Sequence, residues 1–277
     1  GAGRGAVMRD PFRIDGPAVI SFSGGRTSGY MLRRILDAHD GALPPDVHTL
    51  FSNTGKEREE TLAFVRDCGE RWGVPIHWLQ RTAGGGVEVV TFEDAARKGE
   101  PFVDLLGERK FLPNPVMRFC TTELKIRVMK GWMLARGYEH WTNVVGLRFD
   151  EARRVGNVRS HKSRERWEVA CPLYDARVTV VDVTEFWKAQ PFDLRLQSYE
   201  GNCDMCFLKG VAKRQRLAEE RPDLVGWWAA QEARIGATFR KDGPSYARLA
   251  ANARDQRRLP MAMDGDPTDT GDCACTD

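Results

Sequence analysis

The chain has 277 residues, of which 42% are hydrophobic and 29% charged, and its formal net charge is +3. This length and composition exclude a disordered protein, a collagen and a coiled-coil rod, and they allow one large domain or two unequal ones. No uncharged apolar run approaches the ~20 residues that a membrane span requires. We therefore expect a soluble, cytoplasmic protein with no membrane partner.

Short β-branched runs alternate with helical patterns over the first part of the chain. Strands are predicted over residues 18–22, 47–51, 74–79 and 141–147, and helices from about residue 28 and over residues 57–72 and 122–136. Strands and helices that alternate at this spacing favour a parallel sheet with right-handed crossovers. The predicted fold class is α/β, with a twisted parallel sheet and flanking helices.

The pattern changes beyond about Trp167, where short helices are predicted over residues 182–190, 203–219 and 223–235. We predict a nucleotide-binding domain over residues 14–166 and a helical, cysteine-bearing C-terminal region over residues 167–277.

A glycine-containing loop lies where the first predicted strand meets the first predicted helix. It has the sequence Ser21-Phe22-Ser23-Gly24-Gly25-Arg26-Thr27-Ser28. Glycines let the backbone approach a phosphate, and free amides at a helix start supply donors and a positive dipole end. The loop matches neither the Walker pattern nor the dinucleotide-binding fingerprint. An ordinary glycine-rich turn remains the alternative.

Four segments together resemble the phosphoadenosine-phosphosulfate (PAPS) reductase family of the PP-loop ATP pyrophosphatases. The glycine loop resembles the SGGxxS motif, and Asn53-Thr54-Gly55 with Glu60-Thr61 resembles the DTGxxFPET stretch. Arg118-Phe119-Cys120-Thr121 with Lys125 resembles the cysteine-containing stretch, and residues 146–154 resemble the later Gly-x-Arg segment. The segments occur in the family's order and cover residues 18–210.

The resemblance implies an adenine nucleotide alpha-hydrolase-like fold that binds ATP, PAPS or adenylyl sulfate, with Mg²⁺. Adenine is expected against the backbone around residues 51–53 and the phosphates over residues 23–28. Arginine suits a bidentate phosphate clamp better than lysine does, and Lys125 is a catalytic or phosphate-binding candidate unless it is a plain surface lysine. The implied nucleotide-binding residues are Ser21, Ser23, Gly24, Gly25, Arg26, Thr27, Ser28, Phe51, Asn53, Gly146, Arg148, Arg153 and Arg154.

The chain has seven cysteines, at positions 68, 120, 171, 203, 206, 273 and 275. Their odd number and uneven spacing argue against a secreted disulfide framework. Cys203 and Cys206 allow half of a zinc site, a redox dithiol or half of an iron–sulfur site. Zinc is disfavoured because no histidine pair accompanies them.

The resemblance implies a [4Fe-4S] cluster held by Cys120, Cys203 and Cys206, which stand where cluster-bearing members of the family hold their ligands. Cys171 is a candidate fourth ligand or a small buried hydrophobe, and Cys68 is expected in the core. Cys273 and Cys275 are candidate ligands or sulfur-carrying nucleophiles.

Two departures from the reductases favour a related activity over sulfite release. Asn53 stands where the reductases usually carry aspartate, and the cysteines near the C-terminus stand in another sequence context. A basic segment between Arg148 and Arg166 also suits a nucleic acid backbone.

The leading hypothesis is an enzyme that adenylates an acceptor oxygen and then delivers sulfur, with nucleic acid as the candidate acceptor and a sulfur-donor protein as a candidate partner. The alternatives are a PAPS or adenylyl-sulfate reductase and a nucleotide-binding subunit without turnover.

Overall fold

The computed structural model describes residues 10–160 and 165–255. Its sheet has six strands: β1 (Ala18–Ser21), β2 (Val47–Asn53), β3 (Ile76–Arg81), β4 (Val87–Val90), β5 (Trp141–Val144) and β6 (Trp167–Ala170). The strand order is β4-β3-β2-β1-β5-β6, and every neighbouring pair is parallel except β3 and β4. The predicted α/β class is confirmed, while the antiparallel edge strand β4 was not predicted.

The α-helices of the described ranges are α1 (Arg26–Ala38), α2 (Glu59–Trp72), α3 (Glu100–Arg109), α4 (Phe119–Thr121), α5 (Arg127–Ala135), α6 (Ala152–Ser160), α7 (Pro172–Asp175), α8 (Val180–Lys188), α9 (Val211–Glu220), α10 (Pro222–Ile235) and α11 (Tyr246–Arg254). Short 3₁₀ turns span Ala83–Gly85 and Phe149–Glu151, and a π-helical turn, Thr122–Ile126, joins α4 to α5. Within residues 10–160 and 165–255, no helix is long and apolar enough to cross a membrane.

Helices cover both faces of the sheet because successive strand side chains point to opposite faces. On β1, Ile20 belongs to a core that includes residues of α1, α2 and α8. Val19 belongs to a second core, which contains Trp132 of α5. The sheet is therefore buried on both sides, as parallel sheets usually are.

The sheet continues past the predicted domain boundary at residue 166. Strand β6 begins at Trp167 and pairs in parallel with β5, and Trp187 of α8 packs in the core beside α1. Residues 203–206 precede α9, which begins at Val211 rather than at the predicted residue 203. A separate helical core joins α3 to α9, α10 and α11 and contains Cys203 and Cys206.

Candidate functional site

The glycine loop connects β1 to α1 and needs glycine at position 24. Gly24 has φ +79°, and a Cβ there would lie 2.7 Å from Cγ2 of Thr61. The Ser28 hydroxyl donates to the Gly25 carbonyl (2.9 Å) and lies 3.1 Å from the Ser23 hydroxyl. The loop is thus closed by its own hydroxyls at the start of α1, where backbone N–H groups without intrahelical partners can bind an anion.

Arg148 and Gly146 are brought against this loop from the segment after β5. Arg148 is 1% exposed and donates from Nη1 to Thr27 Oγ1 over 2.8 Å. Its Nε lies 3.2 Å from Asp150, and the Glu151 carboxylate accepts from its backbone N–H. A Cβ at Gly146 would lie 3.6 Å from the Ser28 Cα. The two segments that the resemblance singled out therefore meet in space.

The other arginines of the implied phosphate clamp have different surroundings. Arg26 makes a bidentate ion pair with Asp193, at 2.7 and 2.6 Å. Arg154 forms an ion pair with Glu151, and Arg153 is exposed. Among the implied arginines, Arg148 is shown bonding to a side chain of the glycine loop, the Thr27 hydroxyl.

The basic segment is partly neutralised within the described ranges. Besides Arg148 and Arg154, Arg159 bonds to both carboxylate oxygens of Asp175 at 2.8 Å. Arg166 is exposed. The local field is therefore weaker than the number of basic residues alone suggests.

Phe51 and Asn53 lie on the face of β2 opposite Ser52. Phe51 belongs to the first core and packs edge-on against Trp78. The Asn53 amide nitrogen donates to Gln80 Oε1 and to the Ala96 carbonyl, both at 2.9 Å. A carboxylate cannot make these two donations, which gives a physical reason for asparagine where the reductases carry aspartate.

A cavity of about 650 Å³ lies on the face of the sheet that carries Val19 and the second core, and we call it the sheet-face cavity. Side chains of four strands form its floor, among them Val19, Ser21, Ser52, Trp141, Asn143 and Trp167. Lys125 and Met129 border it, as does Ser23 of the glycine loop. Its volume suits a nucleotide-sized ligand.

Ser52 is a polar lining residue that sequence reasoning missed. Its buried hydroxyl has no hydrogen-bond partner within the described residues, whereas the Ser21 hydroxyl donates to Asn143 Oδ1 over 2.7 Å. The alternation of side chains along β2 could have predicted its position, because Ser52 lies on the same face of the sheet as Leu50 of the second core.

The structure brings Cys120, Cys203 and Cys206 to one small cavity of about 30 Å³, the cysteine cavity. Most of the other lining side chains are apolar, namely Phe102, Leu124, Phe207, Leu208 and Trp228, and two are threonines, Thr54 and Thr121. Lys125 lines both cavities, and its Nζ lies 4.0 Å from Glu57 Oε1. It follows Cys120 through a π-helical turn, a feature common at functional sites.

The cysteine cavity offers the donor set for a cluster but not its full volume. Three thiols around an apolar cavity fit an iron–sulfur cluster in chemistry. At about 30 Å³ the cavity has room for on the order of two water molecules. The side chains that line it must therefore move apart before an iron–sulfur cluster can bind. Among the described residues, no three His, Cys, Asp or Glu side chains are arranged to hold a metal ion.

The remaining cysteines lie apart from this cavity. Cys171 packs with Val145, Leu147 and Val155, and burial raises the pKa of its thiol to about 11. The structure does not bring it to the other three cysteines. Cys68 is buried in the first core, as predicted. Cys273 and Cys275 lie outside the described residues.

The segment that carries Cys203 and Cys206 is held by residues that sequence reasoning also missed. The buried Asp204 carboxylate forms a 2.7 Å ion pair with Lys56 and accepts from Trp228 Nε1 over 2.7 Å. Asn202 donates from Nδ2 to the Ser23 carbonyl over 2.9 Å. Their positions beside the Cys-x-x-Cys spacing are the only signal that the sequence offers.

Comparison with known proteins identifies two relatives by sequence. The chain is 31% identical over 207 residues to an uncharacterized nin region protein, ORF290, of Escherichia phage lambda, a match that covers 70% of this chain and 67% of ORF290. It is 24% identical over 224 residues to the uncharacterized protein MJ0066 of Methanocaldococcus jannaschii, and this match covers 78% of the chain but only 41% of MJ0066. No family model matches the chain.

A solved structure with a similar chain course is the U34-tRNA thiolase NcsA from Methanococcus maripaludis with its [4Fe-4S] cluster. The TM-score is 0.46 and the sequence identity 14%, over 90% of this chain and 74% of that chain.

Proposed function

We propose that this chain, which belongs to the family of the nin region protein ORF290 of phage lambda, is a PP-loop ATP pyrophosphatase of the PAPS reductase type. It binds an adenine nucleotide and uses an iron–sulfur cluster in sulfur transfer. One observation carries the proposal: Lys125 lines both the sheet-face cavity, beside the glycine loop, and the cavity with three cysteines.

The nucleotide occupies the sheet-face cavity with its phosphates at the glycine loop. Helix-start N–H groups and the Ser23 hydroxyl bind the phosphates, with Mg²⁺ as counter-ion. The Ser52 hydroxyl, which has no partner in the described ranges, is available to the adenosine part. Arg148 supports the loop through Thr27 and so orders the phosphate site, while Asp150 and Glu151 offset its charge.

The reaction begins when an acceptor oxygen attacks the α-phosphorus of ATP and the bond to pyrophosphate breaks. Negative charge builds on the departing pyrophosphate, where loop amides and the Lys125 ammonium stabilise it. The adenylated oxygen then becomes a leaving group for sulfur. Lys125 suits this role because it lines both the sheet-face cavity and the cysteine cavity.

The cysteine cavity is proposed to hold a [4Fe-4S] cluster through Cys120, Cys203 and Cys206. Such a cluster, with one position not taken by protein, supplies a site for a sulfur ligand. The apolar surroundings exclude water from this region. The proposed sulfur source is a donor protein that supplies sulfur at the sulfide level; the sulfur bonds to the acceptor as AMP leaves, with no change of oxidation state. The acceptor class is nucleic acid, which the exposed Arg153 and Arg166 fit electrostatically.

ATP binding and pyrophosphate release test the nucleotide half of the proposal. Isothermal titration should detect ATP binding to the wild-type protein, and pyrophosphate should appear when RNA or DNA is supplied as acceptor. Sulfite release from PAPS would instead support a reductase. Absence of binding to both nucleotides would contradict the proposal and the reductase alternative together.

Two glycine variants make this test specific to the loop. Gly24→Ala places a Cβ in a positive-φ position and 2.7 Å from Thr61, so ATP binding should be lost. Gly107→Ala lies on α3 with open space around its Cβ and should bind ATP normally. Because Gly24→Ala strains the fold, Ser23→Ala provides a milder test, with an expected affinity loss of several-fold. Unchanged ATP affinity in both loop variants would contradict the assignment of the phosphate site.

A further inference from the structure

Asn202 links the glycine loop directly to the segment that carries Cys203 and Cys206. Its side-chain Nδ2 donates to the carbonyl of Ser23 over 2.9 Å. Its backbone carbonyl accepts from the N–H of Arg58 over 2.9 Å. Asn202 is buried, so these bonds are shielded from water. One residue next to Cys203 thus contacts both the phosphate loop and the segment after β2.

The cysteine segment is also fastened on its other side. The Asp204 N–H donates to the Lys56 carbonyl over 2.9 Å, and the side chains of the same two residues form a buried ion pair. Lys209 Nζ donates to the Cys203 carbonyl over 2.7 Å. A segment held at several points transmits a displacement better than a loose one, because packed elements shift as units.

The Asn202 side-chain amide uses only one of its two polar atoms in hydrogen bonds between described residues. Its Oδ1 is buried and has no hydrogen-bond partner within the described residues. An unsatisfied buried acceptor loses its hydrogen bonds to water without gaining a replacement. A buried polar group that is only half satisfied calls for an explanation other than packing. The contact with the glycine loop supplies that explanation, because the donor half of the amide is used there.

We propose that Asn202 is a positioning residue that couples the glycine loop to Cys203 and Cys206. A ligand that shifts the Ser23 carbonyl changes the hydrogen bond to Asn202 and thereby the position of the cysteine segment. Occupancy of the sheet-face cavity is therefore sensed in the cysteine cavity. The purpose of this coupling rests on the proposed function, since it would time sulfur transfer to nucleotide binding, whereas the contacts of Asn202 do not depend on that function.

A double-mutant cycle read by hydrogen exchange tests the coupling without a ligand. The full chain is compared as wild type, Ser28→Ala, Asn202→Ala and the double variant, and amide exchange is measured by mass spectrometry over residues 202–209. Ser28→Ala removes the hydroxyl that closes the glycine loop. It should raise exchange in this segment at least threefold in the wild-type background and leave it unchanged in the Asn202→Ala background.

The cycle separates coupling from a merely structural role. If Asn202 only stabilises its own segment, the two substitutions act independently and their effects multiply. That result, or no effect of Ser28→Ala on the segment, would overturn the proposal. Thr184→Ala removes an exposed hydroxyl on α8 and should leave the exchange unchanged. Each variant's melting temperature shows whether it is folded.

An ATP arm distinguishes this proposal from the proposed function. ATP should alter exchange over residues 202–209 in the wild type and much less in Asn202→Ala. Failure of ATP to bind the wild type would contradict the proposed function, while the ligand-free cycle would still decide the coupling. ATP binding without any change in this segment would overturn the coupling alone.

Discussion

The sheet-face cavity and the cysteine cavity share Lys125 but are built in opposite ways. The first has about 650 Å³ and combines hydroxyls with many apolar side chains, whereas the second has about 30 Å³ and combines three cysteines with apolar side chains, two threonines and Lys125. The glycine loop is closed locally by the hydroxyls of Ser23 and Ser28, with one distant bond from Arg148 to Thr27. The cysteine segment is held across the chain, by Lys56 and by the Ser23 carbonyl.

This difference determines which substitutions destabilise each region. Removing a hydroxyl from the glycine loop costs hydrogen bonds but leaves no buried charge, and the backbone of β1 and α1 still defines the shape of the loop. Removing a charge beside the cysteines leaves its partner charge buried and unpaired, which lowers the free energy of unfolding strongly. The following predictions test this contrast, in order of decreasing effect.

Asp204→Ala should lower the free energy of unfolding by about 3–5 kcal/mol, because it leaves the Lys56 ammonium buried and unpaired. Urea denaturation measures the change. Glu185→Ala is the matched control, since its ion pair with Lys188 is exposed and should be worth about 0–1 kcal/mol. Equal effects of the two substitutions would contradict the structural importance of the buried pair.

Lys125→Met should weaken ATP binding by about 10- to 100-fold, since a hydrogen bond to a charged group contributes about 1.5–3 kcal/mol. Titration calorimetry on folded protein measures it. Lys130 also lines the sheet-face cavity, but it forms a 2.6 Å ion pair with Glu165. Lys130→Met should therefore change the dissociation constant by less than about threefold. The reverse ranking would place the phosphates elsewhere in the cavity.

Ser21→Ala and Ser52→Ala should differ in their effect on stability. Ser21 loses its bond to Asn143, so the free energy of unfolding should fall by about 0.5–1.5 kcal/mol. Ser52→Ala removes a buried hydroxyl without a partner in the described structure and should be neutral or slightly stabilising. In the presence of ATP, Ser52→Ala should reduce the ligand's stabilising effect. A clear loss of stability in the ligand-free Ser52 variant would show that its hydroxyl is already bonded.

The smallest predicted effect is a pH dependence from His48 and His77. Burial lowers the pKa of both imidazoles, and for His77 the neighbouring His48 also lowers it. The folded state therefore binds protons less readily than the unfolded state, so stability is greatest above about pH 6.5 and falls as the pH decreases. Between pH 7.5 and 5.5, His77→Gln should lose less stability than the wild type. An equal loss would assign the pH dependence to other groups.

The sequence predicted the sheet because alternating strand and helix patterns are local. The glycine loop was also predicted from a short stretch of sequence. The resemblance singled out the segment with Arg148 as well, and in the structure Arg148 bonds to Thr27 of the loop. The same local reasoning missed Asn202 and Asp204, because their partners Ser23 and Lys56 lie more than a hundred residues away. It also placed a helix at Cys203, where the segment instead bridges to Glu57. Long-range polar contacts of this kind have no periodic signal.

The most direct test of the account is the iron and acid-labile sulfide content of the protein after anaerobic purification. We predict about four of each per chain in the wild type, loss of both in Cys203→Ala, and retention in Cys68→Ala, whose thiol lies in the first core. Wild-type protein without iron, under conditions that protect clusters, would contradict the claim that the cysteine cavity is a cluster site.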